Sequence, residues 1–447
     1  MNKKTRSILI MIIVFAFCLA LFVSCANNKI NFFDYSDDNL GLIGKLVKLM
    51  HQGWIKNYGW TVVVFTVFLK LIMLPLDFWQ RYSTKKSSVK MQKIQPLIES
   101  IDKRYGANTQ RANEEKQKLY KKQGYSMVST CLPMIISMVV FFVMFAGLRN
   151  YSTYSTITTF QVLSNEYYDT YAAELQKQGG DVWSAYKVKY DEAYQAKYGE
   201  YEVKLEGDAV VSDKDKDYCD LYAKISGISA AINADTAACE QAESVAFNAI
   251  KIAYTGGVNE DGTQIEGIRE SWLWIQNVWQ PDTWDSIMPE YDSGANSFTA
   301  SIDMSGYPAD MGKSTYNTIR QAILESGVRG DAGKWNGLMI LPILSIGLSF
   351  LSMFISQLME KKNKNGEAIQ QNQQQQATNK TMMILMPLMM AYFGFIYTGA
   401  FAIYMVVNYL ISILSTVALR WPVEKLVEKN IAKGDKDGKS SKASYMR

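Results

Sequence analysis

The chain has 447 residues, 48% of them hydrophobic, with a formal net charge of +4, one histidine and five cysteines. Its mean hydropathy of −0.09 averages two populations, long apolar runs and a polar, aromatic-rich block over about 150–335, which excludes a single soluble domain. Neither a GxxxxGK[ST] phosphate loop nor an HExxH zinc motif is present, so nucleotide and zinc chemistry lack their usual signatures and no cofactor is expected.

Residues 1–24 read as an export signal, basic MNKKTR followed by apolar SILIMIIVFAFCLALFV. The run Phe22-Val23-Ser24-Cys25 resembles a bacterial lipobox and predicts cleavage before a lipidated Cys25; the alternative is an uncleaved anchor. Intact Met1 in a mass spectrum of the purified protein would exclude cleavage. In the outer segment 25–58, Leu40, Ile43, Val47 and Met50 recur at helical spacing, with Lys45, Lys48 and Lys56 elsewhere. This predicts an amphipathic helix lying on the outer face of a membrane. His51 has no second histidine to join it and reads as an interfacial residue, not a ligand.

Span 59–80 is apolar from Trp60 to Trp79 except for Lys70 and Asp77. Such a run, about 20 residues long, can cross a bilayer. A cation at its middle costs about 2.5–3.5 kcal/mol on insertion scales unless it meets a partner or a wet cavity. Asp77 is the one local partner, but seven helical residues place it about 10 Å along the axis. Lys70 is therefore expected to be a solitary charge facing a polar intramembrane cavity.

Residues 81–126, broken at Gly106-Ala107-Asn108, predict a cytoplasmic helical hairpin with twelve Lys/Arg against four Asp/Glu over 81–125. That surface suits anionic headgroups, the ribosome, signal recognition particle or emerging chains; topogenic charge alone is the alternative. A second span, 127–148, leads into the insertion 149–335, where 151–334 carries fourteen basic and twenty-nine acidic residues. Alternating stretches such as YEVKLEGDAVV predict a mixed domain of helix and short strand outside the cell, where Cys219 and Cys239 can either pair or stay free. A third span, 336–358, precedes a glutamine-rich linker, 359–380. Spans 381–398 and 399–420 must meet in a tight hairpin, and 421–447 is a basic tail, flexible from Gly434. All basic loops fall on one side if Cys25 is outside, giving five crossings and a cytoplasmic carboxyl end.

Taken together, Lys70-Leu-Ile-Met-Leu-Pro75-Leu76, Met91-Gln92-Lys-Ile-Gln95-Pro96, Lys103-Arg104-Tyr105, Leu119-Tyr120-Lys121 and Gly124 resemble the first half of the YidC/Oxa family of membrane protein insertases. Cys131-Leu132-Pro133, Trp272-Leu-Trp274-Ile275 with Trp279-Gln280-Pro281-Asp282, and Gly399 to Asn408 are similar to its later segments. The resemblance implies an all-α polytopic membrane protein: a five-helix transmembrane core, a cytoplasmic helical hairpin and an inserted extracytoplasmic domain. It also implies a groove open to the cytoplasm and to lipid, and a multi-pass protein of the bacterial cell membrane. The chain departs from the family at Lys70, usually arginine, at Ser137, often glutamine, and at Val139, often proline. Lysine loses the bidentate fork that arginine offers a carboxylate.

Periodicity adds its own signal. Ser345, Ser349, Ser352 and Ser356 line one face of the third span, and Asn408, Ser412, Ser415 and Thr416 one face of the fifth. Such stripes serve either close helix packing or a polar wall. With Lys70, Thr66 and Ser137 they predict a hydrophilic substrate groove. In it, the short acidic tail of a nascent membrane protein would cross while its apolar segment slides into lipid. No nucleophile–base pair accompanies the groove, so an enzyme is not expected. Candidate partners are nascent membrane proteins, the bilayer, the ribosome, signal recognition components and the Sec translocon, with no specific nucleic acid recognition. A small-solute transporter would also use an intramembrane charge, although no pair of interrupted helices marks two halves. A scaffolding lipoprotein leaves Lys70 unexplained.

Overall fold

The computed structural model describes residues 29–32, 35, 37–105, 108–122, 127–204, 211–258, 262–293, 297–305, 307, 309–326, 335–360 and 392–444. The signal segment with Cys25, the glutamine-rich linker, most of the fourth span and the side chain of Ser137 lie outside what it describes. In chain order the elements are β1 (Ile30–Asn31), α1 (Gly41–Gly53), α2 (Tyr58–Tyr105), α3 (Thr109–Lys122), α4 (Met127–Gln178), α5 (Gly180–Lys204), α6 (Asp213–Ala234) and α7 (Thr236–Thr255). They continue with β2 (Gly257–Val258), β3 (Gln264–Ile265), α8 (Phe298–Ser301), β4 (Ile302–Asp303), α9 (Ala309–Glu325), α10 (Ile340–Glu360) and α11 (Gly399–Ser444). The chain divides into two units, Met1–Thr61 with Phe145–Ile340 and Ile396–Ala400, and Val62–Met144 with Leu341–Phe395 and Phe401–Arg447.

The first unit is built on the polar block. Phe32, Phe160, Phe298, Tyr168 and Tyr316 form its buried aromatic centre, joined by Ile157, Leu163 and Ile319. Strand β1 pairs parallel with β4, so Ile30 lies opposite Ile302 and the amino-terminal segment is pinned to the body. Gly179 and Gly180 both take left-handed φ, 70° and 64°, a conformation that glycine adopts without a Cβ clash, and the chain reverses there between α4 and α5. Helices α5 and α6 pack so closely that a Cβ on Gly227 would stand 2.8 Å from the Tyr186 ring. Tyr190 Oη donates to Asp220 across these two helices, and Lys224 joins Asp220 on its own helix to Asp169 on α4. Ser212 and Asp235 cap α6 and α7, each accepting a main-chain N–H three residues on.

The expected mixed domain is thus predominantly helical, its described strands being two-residue pairs. Residues 201–204 of the alternating stretch complete α5, because helix packing against α6 outweighs a period-two pattern. Cys219 and Cys239 are buried free thiols on α6 and α7. Helix α1 forms as predicted, but Leu40 and Val47 are turned inward and Ile43 packs against Gly147, where no Cβ would fit. The exposed apolar row is instead Leu42, Leu46, Leu49 and Trp54.

Residues 270–285 gather the starts of other elements in this unit. Helix N-termini leave main-chain N–H groups without intrahelical acceptors. The Glu270 carboxylate accepts from Tyr58 N at 3.1 Å, and its other oxygen lies 2.9 Å from His51. Gly399 N and Ala400 N donate to Gln280 O and Val278 O. Asp282, fully buried, accepts from Leu338 N and from the Trp274 indole. Asn336 ties this loop to the approach of α10, donating to Asn277, Gln280 and Pro281 carbonyls at 3.0, 3.1 and 2.7 Å. His51 is held by Tyr151 and Glu270.

The second unit is apolar. Tyr58–Val89 and Gly399–Asn430 are long and apolar enough to cross a membrane, yet only 22% and 33% of their most apolar windows are buried within the protein. Ile340–Ser356 is a shorter apolar helix. Val64, Phe68, Leu71 and Ile72 on α2, and Leu410, Leu414 and Val417 on α11, stay exposed, the pattern expected of lipid-facing surfaces. The span boundaries expected at 80 and 420 are not helix ends: α2 continues past Pro75 and Pro96 to Tyr105, and α11 past Pro422 to Ser444. Continuation of α11 also replaces the flexible tail expected from Gly434. The predicted hairpin forms between the end of α2 and α3, where Ile94 and Ile98 pack on Leu119 and Tyr120 and Lys116 pairs with Asp102.

Candidate substrate groove

Along α2, Lys70, Asp77, Arg81 and Thr84 follow one another at steps of seven, four and three, which places them on one helix face. On α11 the corresponding face carries Ser412, Thr416, Leu419, Val423 and Glu424, and on α10 Ser352 and Ser356. These residues, with Gln80, Lys85 and Arg420, enclose a cavity of about 430 Å³ in the second unit.

Contacts along it fix the helix directions. Lys70 Nζ donates to Ser412 Oγ at 3.2 Å, Arg81 to Ser415 Oγ at 3.2 Å, and Lys85 approaches Glu424 at 3.5 Å. Residue numbers rise together on both helices, so α2 and α11 run parallel. Tyr82 also accepts from Asn430 at 2.9 Å, further along α11.

Lys70 is not solitary, contrary to the expectation from the sequence. Its Nζ lies 4.0 Å from Asp77 Oδ2, both side chains about one-fifth exposed. Axial rise alone misjudged this pair: seven residues return to the same face, and a lysine stem laid along the helix covers most of the rise. Arg81 adds a second cation. Its Nη2 meets Ser415 Oγ and Ser412 O, while its Nε is buried without a partner among the described residues. Beyond it, Glu424 lies 3.5 Å from Lys85 and 3.3 Å from Arg420.

The predicted hydroxyls divide. Ser352, Ser356, Ser412 and Thr416 line the cavity. Thr66, 1% exposed, returns its hydroxyl to Val62 O at 2.6 Å and does not line it. Ser345 is likewise buried and bonded to Pro342 O, with Gly394 beside it. Ser349 is buried and meets the Tyr409 hydroxyl. Asn408 contributes its carbonyl, which accepts from Ser412 Oγ at 2.7 Å. Half of the α10 stripe therefore packs helices and half faces the cavity, while on α11 Ser412 and Thr416 face it and Ser415 meets Arg81. Asp77, Arg81, Lys85, Arg420 and Glu424 were not singled out as groove residues, although their spacing from Lys70 and Thr416 was available. Among the described residues, no cluster of His, Cys, Asp and Glu is arranged to hold a metal ion.

A family model described as 60Kd inner membrane protein matches residues 50–186 and 247–425. The unmatched 187–246 falls on the α5–α6 pair and the first half of α7. The Membrane protein insertase YidC of Caldanaerobacter subterraneus subsp. tengcongensis is 36% identical over 114 residues, 26% of this chain and 53% of that protein. Those of Endomicrobium trichonymphae and Treponema pallidum are 32% and 36% identical over 118 and 100 residues, 25% and 22% of this chain. The chain spans about half the length of the first relative, 21% of the second and 15% of the third.

Proposed function

The chain belongs to the YidC/Oxa family of 60Kd inner membrane proteins, and from that premise we propose that it is a membrane protein insertase and chaperone. The observation that carries the reading is the charged, hydroxyl-lined cavity between parallel apolar helices whose outer surfaces are apolar. A hydrophilic tail of a nascent membrane protein faces a large cost in hydrocarbon, several kcal/mol for each unmet polar group. Inside the cavity, Ser352, Ser356, Ser412 and Thr416 replace part of the tail's hydration, and Lys70 with Arg81 attracts its carboxylates. Burial of the client's apolar segment in lipid then drives the step, and the tail is released on the far side.

The protein acts in the bacterial cell membrane, with α2, α10 and α11 entering from outside and the basic hairpin of α2 and α3 in the cytoplasm. That hairpin is the docking surface for the ribosome and signal recognition components, and the Sec translocon is a candidate partner. Cys25 anchors the mature amino terminus through lipid. Photocrosslinking probes at Ser352 and Ser412, presented to a ribosome-stalled single-span protein, test the reading. Crosslinks at both positions are expected. A client that inserts without touching either would return the hydroxyls to helix packing and favour transport of a small solute, which proteoliposome uptake would then detect.

A further inference from the structure

The cavity holds four cations and two carboxylates, and they fall into two groups of the same composition. In the outer group Glu424 lies between Lys85 and Arg420, at 3.5 and 3.3 Å. In the inner group Asp77 lies 4.0 Å from Lys70, and Arg81 follows one helical turn beyond Asp77 on the same face. Arg81 spends its Nη2 on Ser415 Oγ and Ser412 O and leaves its Nε buried and unpartnered among the described residues. The inner group is also the drier: Lys70 and Asp77 are 20% and 21% exposed, against 26%, 33% and 44% for Lys85, Glu424 and Arg420.

One acid between two bases leaves one positive charge over. We propose that Asp77 is a specificity-determining residue, which occupies Lys70 in the resting protein and limits the inner cavity to a single client carboxylate. The inference rests on the insertase reading and deepens it. An inner cavity with no acid would present two adjacent cations and take a second client carboxylate as readily as the first. An inner cavity with two acids would have no surplus charge to attract one. Conduction along a polar path needs a site that binds well enough to be entered and weakly enough to be left. A second carboxylate arriving beside the first meets Asp77 as a like charge, and such juxtaposition at close range discriminates between partners. The same geometry makes Lys70 and Asp77 interdependent, because removing one member of a poorly hydrated pair strands the other charge.

The test uses the purified full chain in proteoliposomes and single-span clients whose translocated tails carry no, one or two acidic residues. Protease protection of the tail reads insertion. Wild type is expected to favour the one-acid tail. Asp77→Asn is expected to raise the two-acid tail over the one-acid tail by about two- to fivefold, the change that a partly wet ion pair supports. Lys70→Ala should insert acidic tails worse than Lys70→Ala/Asp77→Asn, since only the single variant strands a carboxylate. An unchanged charge preference in Asp77→Asn, or a double variant no better than Lys70→Ala, would overturn the role of Asp77 and leave the insertase reading intact. Wild-type vesicles that insert no client better than empty ones would overturn both. Should Asp77→Asn fail to reconstitute, the exchange Lys70→Asp/Asp77→Lys keeps the pair and should retain the wild-type preference; a shifted preference there overturns the proposal.

Discussion

The loop 270–285 and the cavity between α2, α10 and α11 both bring buried polar groups together, and they do so on opposite principles. In the loop, donors and acceptors are matched through fixed main-chain geometry: Asn336 gives its amide protons to three carbonyls, and Asp282 takes an indole and a main-chain N–H. In the cavity, long flexible side chains share too few carboxylates, and half of the lining hydroxyls only return bonds to their own helix. The first arrangement specifies a structure. The second leaves cations in excess of carboxylates among the described residues that line it. Matched polar groups rigidify, whereas partly met ones are costly in a static core and useful where a partner arrives.

The sharpest way to break this comparison is Asn336→Ala. It removes three amide donations and strands the buried Asn277 N–H that Asn336 Oδ1 accepts, and should cost about 3 kcal/mol, read as a lowered Tm of the purified protein in detergent. Glu270→Gln comes next. It removes the charge that caps Tyr58 and pairs with His51, and about 1–2 kcal/mol of stability should go with it. Ser412→Ala belongs to the other region: the protein should lose less than about 1 kcal/mol, while insertion of acidic clients falls because Lys70 loses its hydroxyl partner. A Tm for Ser412→Ala as low as that of Asn336→Ala would erase the distinction.

The smallest effect is one of pH. Burial raises the phenols of Tyr171, Tyr186 and Tyr316 above their ordinary value of 10.0. A raised acid in the folded state contributes its stability in full below the unfolded value and loses it as pH rises past that value. Denaturant titrations should therefore give a flat tyrosine contribution from pH 7 to about 9 and a decline only above 10.0. Cys219 and Cys239, whose thiols burial also raises, should resist alkylation until the outer body unfolds.

Part of the cavity lining was legible because a charge or a hydroxyl repeated at three and four residues stands out in an apolar run. Lys70, Ser352, Ser356, Ser412 and Thr416 were found that way. Thr66, Ser345 and Ser349 carry the same pattern but are buried in packing, since a hydroxyl can satisfy itself on a carbonyl three or four residues back in its own helix, as Thr66 does at Val62. Spacing cannot separate these two uses. The outer charges were missed for another reason. Spans were ended where polar residues begin, at 80 and 420, whereas the helices run on and carry Arg81, Lys85, Arg420 and Glu424 down the same wall. On α1 the periodicity gave the right helix and the wrong outer face, because two apolar rows coexist and only contact with Gly147 tells which is inward.

Pro75 lies between Lys70 and Asp77 in the unbroken helix α2. Having no N–H, it leaves the Leu71 carbonyl without its usual helical donor and softens that one turn against bending. A bend there changes the separation of Lys70 and Asp77 more than that of any pair within a single turn. The distance between the two charges would thus report on the helix like a strain gauge, lengthening if that side of the turn were opened.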